Sequence, residues 1–364
     1  MHSPTVSVVI RTTHRATLTA AIASVERQTH RPLELVLVDA RGSGFVSPPT
    51  VASDIALVTV SHGQSLGYSE AANAGLDAAH GQYIVYLDDD DFFDREHIAC
   101  RLEALDRAEA VDGQRPLLAY GPTRRVDEHG AEQGVMDEEH SPIRLHHHNY
   151  IQIGAALFSR QLIDKGCRFD PPLGGIDDWD FWLQASVYTP FAYTPLVTNN
   201  WCATGGGSGS GVSQNFDTTR FHRLHSLLMA KWQTRHEMLL TDFERHSNIA
   251  FAALQRGDLM AAEASYREAM RLDRSDASVL GNMAFIRMQQ GDVPAAMLLL
   301  ARAIKHNPQV IDARINLAML HAQTGNAGES LSVVDALLAI DARNERALAL
   351  RAKLTATANA PRAA

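Results

Sequence analysis

The sequence predicts two domains of different class, an α/β domain in the N-terminal part and an all-α repeat domain in the C-terminal part. Three observations predict them. Short apolar runs alternate with helical runs over the first third, four consecutive aspartates follow the last of these apolar runs, and glycines recur every 34 residues near the C-terminus. With 364 residues, 45% of them hydrophobic and 21% charged, the chain is long enough for two globular domains.

Strands and helices alternate in the first third of the chain. The predicted strands are residues 6–10, 33–38, 55–60 and 83–87, and the predicted helices are residues 18–28 and 69–79. Nearly continuous apolar strands separated by helices are typical of a mainly parallel sheet covered on both faces. Such sheets bind ligands at the carboxyl ends of their strands, which is where the aspartates follow residue 87.

Residues 113–215 are less regular, and a glycine-rich segment at 205–211 precedes a helical pattern from about Asp217 to Leu240. This shift in composition predicts a first domain of residues 1–215, a helical linker of residues 216–242 and a repeat domain of residues 243–355.

The repeat signal comes from small residues at a fixed spacing. The positions are Gly257, Gly291 and Gly325, with Ala250, Ala284 and Ala318 seven residues before them, and Ala269 and Ala303 twelve residues after the first two. This pattern resembles tetratricopeptide (TPR) repeats at 243–276, 277–310 and 311–344, with a capping helix from Glu345. An ordinary helical bundle is the alternative, but it gives no reason for the 34-residue spacing. TPR solenoids present a concave surface, so we expect a protein partner.

The aspartate run, residues 88–91, is the first candidate site. Adjacent carboxylates at the end of a strand repel one another unless a cation neutralises them. Mg²⁺ and Mn²⁺ take oxygen ligands, typically one or two carboxylates together with substrate phosphates. The alternative is an acidic surface loop or a helix N-terminus, where aspartate is a good cap.

Two longer stretches give the aspartates a context. Residues 67–91 read GYSEAANAGLDAAHGQYIVYLDDDD, and residues 6–15 read VSVVIRTTHR. With Gln28, Thr29 and a following strand that ends at Asp39, they resemble family 2 glycosyltransferases over about residues 5–200. The resemblance implies a GT-A fold with a Rossmann-like mixed or parallel sheet, and an enzyme that uses a nucleotide-sugar donor.

The resemblance also implies roles for individual residues in donor binding. Thr12 would lie against the nucleotide, Asp39 would accept a hydrogen bond from the base, typically uracil, and Asn73 would support this wall of the site. An alternative for Asn73 is a polar residue within a helix that has no role in the site.

Within the aspartate run, the resemblance assigns a metal. Asp88 and Asp90 would form the DxD pair, with Asp90 on a Mn²⁺ or Mg²⁺ ion that bridges the diphosphate. Asp88 and Asp89 would also contact the nucleotide.

A second acidic motif follows at residues 174–181, GGIDDWDF, and resembles the acidic motif that holds the family's general base. That base would be Asp178, with Asp177 in place of the usual glutamate. A carboxylate can take the proton of an acceptor hydroxyl as the hydroxyl attacks the anomeric carbon, and back-face displacement inverts that centre. A helix N-terminus capped by acids is an alternative that can hold at the same time. Trp179 or Trp182 could stack on a sugar, although one of them is expected in the core.

Some positions depart from the family pattern, and others are weak candidates. The departures are Arg11, His14, Ala40 and Ala72. His146, His147 and His148 are expected to be solvated loop histidines. Trp201 together with segment 205–211 could be a lid over the acceptor or part of a linker.

Composition limits the class of protein further. The net charge of −9 argues against a general nucleic-acid or anionic-membrane binder. The three cysteines are isolated, which fits a reducing compartment. We find no apolar segment long enough to predict a transmembrane helix, and we expect a cytoplasmic protein.

The leading hypothesis is a metal-dependent inverting hexosyltransferase that moves a sugar from a nucleoside diphosphate, with UDP expected, to a hydroxyl of a protein or glycan. The repeats would recruit the acceptor or a partner protein, as in protein glycosylation; polysaccharide or lipopolysaccharide biosynthesis is the competing role. One alternative is a TPR interaction protein whose transferase domain binds nucleotide without catalysis. Another is a nucleotidyltransferase, although RTTHRAT is a poor phosphate loop.

Overall fold

The computed structural model describes residues 3–45, 49–111, 113–203 and 217–358. The chain forms two compact units, one of Met1–His140 with Arg144–Gln233 and one of Ser141–Ile143 with Thr234–Ala364. The boundary predicted at residue 215 and the glycine-rich segment 205–211 lie outside the described residues, so the domain limits stay a prediction.

The strands of the first unit are β1 Val6–Thr12, β2 Leu33–Asp39, β3 Ile55–Ser61, β4 Tyr83–Asp88, β5 Phe92–Phe93, β6 Leu118–Tyr120, β7 Thr123–Val126, β8 Glu132–Met136, β9 Ala156–Ser159, β10 Phe191–Tyr193 and β11 Asn199–Cys202. The helices of the chain are α1 Leu18–Glu26, α2 Tyr68–Ala78, α3 His97–Arg107, α4 Pro142–Leu145, α5 Gln161–Asp164, α6 Asp177–Tyr188, α7 Thr218–Gln255, α8 Leu259–Leu272, α9 Ala277–Gln289, α10 Val293–His306, α11 Ile311–Gln323, α12 Ala327–Ile340 and α13 Glu345–Ala358.

The main sheet has seven strands in the order β10-β6-β9-β4-β1-β2-β3. Strands β4, β1, β2 and β3 are parallel, whereas β9 runs antiparallel to both β4 and β6. Every residue of β2 is buried, as expected for a strand covered on both faces. The predicted α/β class with a mixed or parallel sheet is therefore confirmed.

Helices cover both faces of this sheet. One buried cluster joins α2 and α6 to the sheet, and the other joins α1 and α3 to its opposite face. Helix α2 approaches β1 closely at Gly75, where an added Cβ would lie 2.3 Å from a methyl group of Val9. This close contact fixes the start of α2 beside the carboxyl ends of the parallel strands.

A second sheet of four strands, in the order β5-β11-β7-β8, was not predicted from the sequence. Its strands are two to five residues long, and β7, β8 and β11 lie in the region that we interpreted as irregular. The sheet brings β11 beside β7, and Trp201 lies on β11.

The second unit consists of paired helices with the predicted period. Gly257, Gly291 and Gly325 have φ values of +77°, +78° and +80°, a left-handed conformation that glycine adopts without strain. Helices α9, α11 and α13 begin at residues 277, 311 and 345, as the repeat limits predict. The predicted linker helix differs, because α7 continues to Gln255 and includes the first helix of the first repeat. No glycine or proline interrupts the sequence there.

Two further observations concern the whole chain. No helix within the described ranges is long and apolar enough to cross a membrane. Cys100, Cys167 and Cys202 are not joined in disulfide bonds among the described residues, and the first two are buried.

Candidate active site

The first pocket opens at the carboxyl edge of the main sheet. There β1, β2 and β4 end side by side, with Thr12 opposite Asp39 and Arg11 opposite Asp88. The pocket has a volume of about 180 Å³. The lining residues are Arg11, Thr12, Thr13, Arg15, Ala40, Leu66, Gly67, Tyr68, Ala71, Asp88, Asp89 and Asp90. The structure thus brings Thr12 together with three of the four aspartates.

Two of the four aspartates hold the protein backbone in place. Asp89 is buried and accepts hydrogen bonds from Thr12 Oγ1 at 2.7 Å and from the Thr13 amide at 3.2 Å. Asp91 is also buried and accepts from Gln152 Nε2 at 3.0 Å and from the Cys202 amide at 2.8 Å. Asp91 therefore ties the aspartate run to the second sheet, on the side away from the first pocket.

The other two aspartates are held by arginines. Arg11 Nη2 donates to Asp88 Oδ1 at 2.7 Å, and Arg15 Nη1 donates to Asp90. Burial, together with the charge of Asp88, raises the pKa of Asp90 to about 6. Carboxylates that lie close together in a pocket partly shielded from water repel one another, so binding of either a proton or a cation is favoured there.

The donor set of this pocket fits a divalent cation that a substrate helps to bind. Asp88 and Asp90 supply carboxylate oxygens, and Mg²⁺ or Mn²⁺ typically completes such a half-site with phosphate oxygens and water. In the described part of the chain, no three or more His, Cys, Asp or Glu side chains are arranged to hold a metal by themselves. A cation would compete with Arg11 and Arg15 for the two carboxylates.

Asp39 lies beside the pocket rather than in its described lining. Its carboxylate is fully buried and accepts from the amides of Arg41, Gly42 and Gly44, from Ser61 Oγ and from His14 Nε2, at distances of 2.6 to 3.0 Å. Burial alone would raise its pKa, but these hydrogen bonds, first from His14 and Ser61, lower the pKa of Asp39 to about 2. Asp39 holds the loop after β2, and its contact with a base stays a prediction.

The side chain of Asn73 also forms hydrogen bonds with the backbone. Its Nδ2 donates to the carbonyl of Phe169 at 2.7 Å, and the Phe169 amide donates to its Oδ1 at 3.1 Å. The side-chain amide therefore fixes α2 to the segment that leads into α6, where the second acidic motif begins. This agrees with a supporting position for Asn73, although its role in the site stays a prediction.

The second pocket is larger, with a volume of about 470 Å³. The lining residues are Arg11, Tyr68, Asp88, Met136, His147, His148, Asn149, Gln152, Ile153, Gly175, Ile176, Asp177, Asp178, Trp179, Trp201, Phe221 and His225. Both Asp177 and Asp178 lie in the first turn of α6, so the motif is a helix N-terminus and part of a pocket at once.

Asp178 is the carboxylate with the most altered environment in this pocket. Its Oδ2 accepts from Asn149 Nδ2 at 3.0 Å, and its Oδ1 accepts from the Trp179 amide at 2.7 Å. Burial and the neighbouring charge of Asp177 raise the pKa of Asp178 to about 7. Asp177 is more deeply buried, and its Oδ2 has no hydrogen-bond partner among the described residues.

Some of the tryptophans and histidines line the second pocket, and others are buried. Trp179 is 3% exposed and donates its indole N–H to the Leu145 carbonyl at 2.6 Å, so it forms a fixed wall of the second pocket. Trp182 is fully buried in the core. His146 is buried, whereas His147 and His148 are exposed and line the pocket.

The two pockets share three lining residues, Arg11, Tyr68 and Asp88. Arg11 was expected only as a departure from the family pattern, and nothing in the sequence marks Asn149 or Gln152. The register of β1 against β4 puts Arg11 opposite Asp88 across 77 residues of sequence, which no local pattern reveals.

Known proteins resemble this chain over each unit. Residues 7–166 match the model of glycosyl transferase family 2, and residues 253–309 and 287–354 match a tetratricopeptide repeat model. An uncharacterized glycosyltransferase, YwdF of Bacillus subtilis (strain 168), is 26% identical over 188 residues, covering 50% of this chain and 68% of the relative. An uncharacterized glycosyltransferase of Rickettsia felis is 31% identical over 108 residues, covering 29% of this chain and 18% of the relative. S. aureus TarS (residues 1–349) aligns with a TM-score of 0.43 at 13% identity, covering 90% of this chain and 88% of that one.

The chain therefore carries a family 2 glycosyltransferase domain followed by tetratricopeptide repeats. The predicted resemblance is confirmed for both units. The family match ends at residue 166, before Asp177 and Asp178. The geometry of the second acidic motif is therefore the basis for assigning it a role.

Proposed function

We propose that the first unit is a metal-dependent inverting glycosyltransferase whose donor binds in the first pocket and whose acceptor binds in the second. The observation that carries the proposal is the shared lining of Arg11, Tyr68 and Asp88. A donor whose diphosphate lies at Asp88 would present its sugar to the second pocket. Asp178 lines that second pocket.

The first pocket suits the nucleoside diphosphate part of the donor. Asp88 and Asp90 would hold Mn²⁺ or Mg²⁺, which when bound neutralises charge on the diphosphate leaving group. Arg11 and Arg15 hold these carboxylates in place by ion pairs before the donor arrives. Thr12 and Asp89 fix the backbone conformation at the end of β1. UDP is the nucleotide that we expect to bind in this pocket.

The second pocket suits the acceptor hydroxyl. Asp178 would take the hydroxyl proton on its carboxylate as the oxygen attacks the anomeric carbon, and the diphosphate leaves from the opposite face. This displacement turns an α-linked donor into a β-linked product. Asn149 fixes the orientation of Asp178.

The repeats suit recruitment of a protein. Paired helices with a 34-residue period form solenoids that present extended binding surfaces. We propose that the acceptor or a partner protein binds there.

The first test is calorimetric titration of UDP, dTDP and GDP into the full chain, with and without Mn²⁺. We expect one nucleotide to bind only with the metal, and Asp90→Ala to abolish that binding because it removes one of the two carboxylates assigned to the metal. Asp91→Asn is the matched control, since Asp91 contacts Gln152 and the Cys202 amide instead of the pocket.

The possible results separate the hypotheses. If no nucleotide binds with or without metal, the proposal fails, and the interaction protein with a degenerate transferase domain takes its place. If Asp91→Asn loses binding as fully as Asp90→Ala does, the metal assignment to Asp88 and Asp90 is wrong.

A further inference from the structure

Arg11 lies at the junction of the two pockets of the first unit. Among the described residues that line these pockets, it is the one cationic side chain that lines both, because Arg15 lines the first pocket only. The register of β1 against β4 places Arg11 at the carboxyl edge of the sheet, opposite Asp88. A ligand that extends from one pocket into the other therefore passes this guanidinium group.

Three contacts hold the guanidinium group of Arg11 at the junction. Its Nη2 donates to Asp88 Oδ1 at 2.7 Å, and its Nη1 donates to the Tyr68 carbonyl at 3.4 Å, which is long for a hydrogen bond. The guanidinium carbon also lies 5.8 Å from the centroid of the Tyr86 ring, within the range of a cation–π contact. The side chain is 11% exposed. Arg11 is therefore an ordered, mostly buried cation that binds Asp88 through one nitrogen.

Carboxylates on both sides of the junction keep Arg11 charged. Burial alone would lower its pKa, but the charges of Asp88 and Asp177 raise the pKa of Arg11 above its ordinary value. The first pocket is lined by three aspartates, Asp88, Asp89 and Asp90, and by two arginines, which leaves one negative charge. A bound divalent cation and the diphosphate of a sugar donor cancel each other, so this balance does not change when they enter. The position of each arginine relative to the diphosphate is therefore important.

The proposed donor site places one phosphate beside Arg11. If the nucleoside lies in the first pocket and the sugar in the second, the phosphate that carries the sugar lies between them, at the junction. A guanidinium group can bind a phosphate through two parallel N–H groups, whereas its contact with Asp88 uses one nitrogen. Asp88 is also assigned to the metal, so Arg11 can give up this carboxylate and gain phosphate oxygens in exchange.

We propose that Arg11 binds the sugar-bearing phosphate of the donor in exchange for Asp88 and stabilises it as the leaving group. This inference rests on the proposed function. In the transfer step, the acceptor oxygen forms a bond to the anomeric carbon and its proton passes to Asp178. The bond between that carbon and the phosphate oxygen breaks, and its electron pair stays on the oxygen. A cation fixed where this charge develops stabilises the transition state. Arg11 departs from the family pattern, so the resemblance does not assign this role.

The test is calorimetric titration of the full chain with Mn²⁺ alone, and with UDP and UMP in the presence of Mn²⁺. If a different nucleoside diphosphate binds the parent, that nucleotide and its monophosphate replace UDP and UMP. We expect Arg11→Gln to weaken UDP binding about 10–100-fold and to change UMP binding little, because UMP lacks the terminal phosphate. Mn²⁺ alone should bind this variant more tightly than the parent, since the guanidinium group no longer competes for Asp88. Damage to the site as a whole would weaken the binding of all three ligands.

Two further variants serve as controls. Arg168→Gln removes the same charge from the first unit, at an ion pair with Asp77 in which the arginine side chain is 44% exposed. Arg168 is not among the residues described as lining either pocket, so this variant should bind all three ligands as the parent does. Arg11→Lys keeps the charge at the junction and protects folding, but it lacks the paired N–H groups. It should weaken UDP binding several-fold without weakening UMP binding, and it decides the question if Arg11→Gln does not fold.

Some results would overturn the inference and leave the proposed function intact. They are parental UDP affinity in the Arg11 variants, an equal loss of UDP and UMP affinity, and weaker binding of Mn²⁺ alone by Arg11→Gln. Failure of the proposed function gives a different result, because the parent itself would then bind no nucleoside diphosphate in the presence of Mn²⁺.

Discussion

A carboxylate that must accept a proton works best when its pKa lies close to the working pH. Asp178 meets this condition through its position, because burial and the charge of Asp177 raise its pKa to about 7. Asn149 and the Trp179 amide stabilise the charged form and keep the rise from being larger. Burial and these three neighbouring groups therefore make Asp178 the best candidate for a base in the second pocket.

This environment predicts the pH dependence of turnover. Only deprotonated Asp178 can accept a proton, so turnover should rise with pH through about 7 and level off above it. Asp178→Asn should lower turnover by about 10²–10⁴-fold and leave metal-dependent nucleotide binding intact. Steady-state rates between pH 5.5 and 8.5 (about three units around the expected pKa) measure the first effect, and calorimetry measures the second.

The control measurement for Asp178→Asn is the thermal stability of the variant. A carboxyl group whose pKa is raised in the folded protein stabilises the fold below its ordinary pKa, and that contribution is lost as the pH rises through the folded value. At pH 8, about one unit above the folded pKa, the charged carboxylate destabilises the parent, so Asp178→Asn should melt at a higher temperature. Near-full turnover in a stably folded Asp178→Asn variant would show that Asp178 is not the base.

At the scale of elements, the site depends on how α2 is joined to the segment before α6. The side-chain amide of Asn73 makes both of its hydrogen bonds to the backbone of Phe169. Residues 73 and 169 are far apart in sequence, yet this pair fixes one wall of the site against another. We therefore expect the placement of Asp177 and Asp178 to depend on a residue that touches neither of them.

This link predicts a split between binding and turnover in Asn73→Ala. Loss of both hydrogen bonds should cost about 2 kcal/mol of unfolding free energy, since two partly buried backbone groups lose their partner. Turnover should fall because the start of α6 becomes less well placed, whereas nucleotide affinity should change little. Urea unfolding and calorimetry measure the two effects.

Asp77→Ala is a matched control on the same helix. Asp77 forms only an exposed ion pair with Arg168, with side chains 64% and 44% exposed, so its removal should cost less than about 1 kcal/mol. If Asn73→Ala is no more destabilised than Asp77→Ala, or if it loses nucleotide binding as well, the link does not act in the way described.

At the scale of the whole molecule, the sequence predicts regular patterns well and long-range pairs poorly. The helix starts at 277, 311 and 345 follow from a fixed glycine period, and β1 to β4 follow from long apolar runs. The second sheet was missed because its strands are two to five residues long and pair across distant segments. The pairing of Arg11 with Asp88 needs the strand register, which only the fold supplies.

The length of α7 was also missed, and it changes where the chain can be shortened. The first turns of this helix belong to the first unit and complete its core with Leu224 and Leu228. Asp180 on α6 is fully buried and accepts from Lys231 Nζ at 2.9 Å and from Trp232 Nε1 at 2.8 Å. We therefore propose that the transferase unit includes the start of α7.

We predict different outcomes for two truncations. A chain that ends at Leu240 keeps Lys231 and Trp232, the two partners that α7 gives to Asp180, so it should fold and bind nucleotide with metal as the full chain does. A chain that ends at residue 217 leaves Asp180 without its cation, which costs about 3–5 kcal/mol, a large part of the stability of a typical domain. Thermal unfolding and calorimetry distinguish them, and transfer to a protein acceptor should be weaker in the chain ending at Leu240. Equal stability of the two shortened chains would show that α7 is not part of the transferase unit. If the chain without the repeats used a protein acceptor as well as the full chain does, recruitment would be excluded as the role of the repeats.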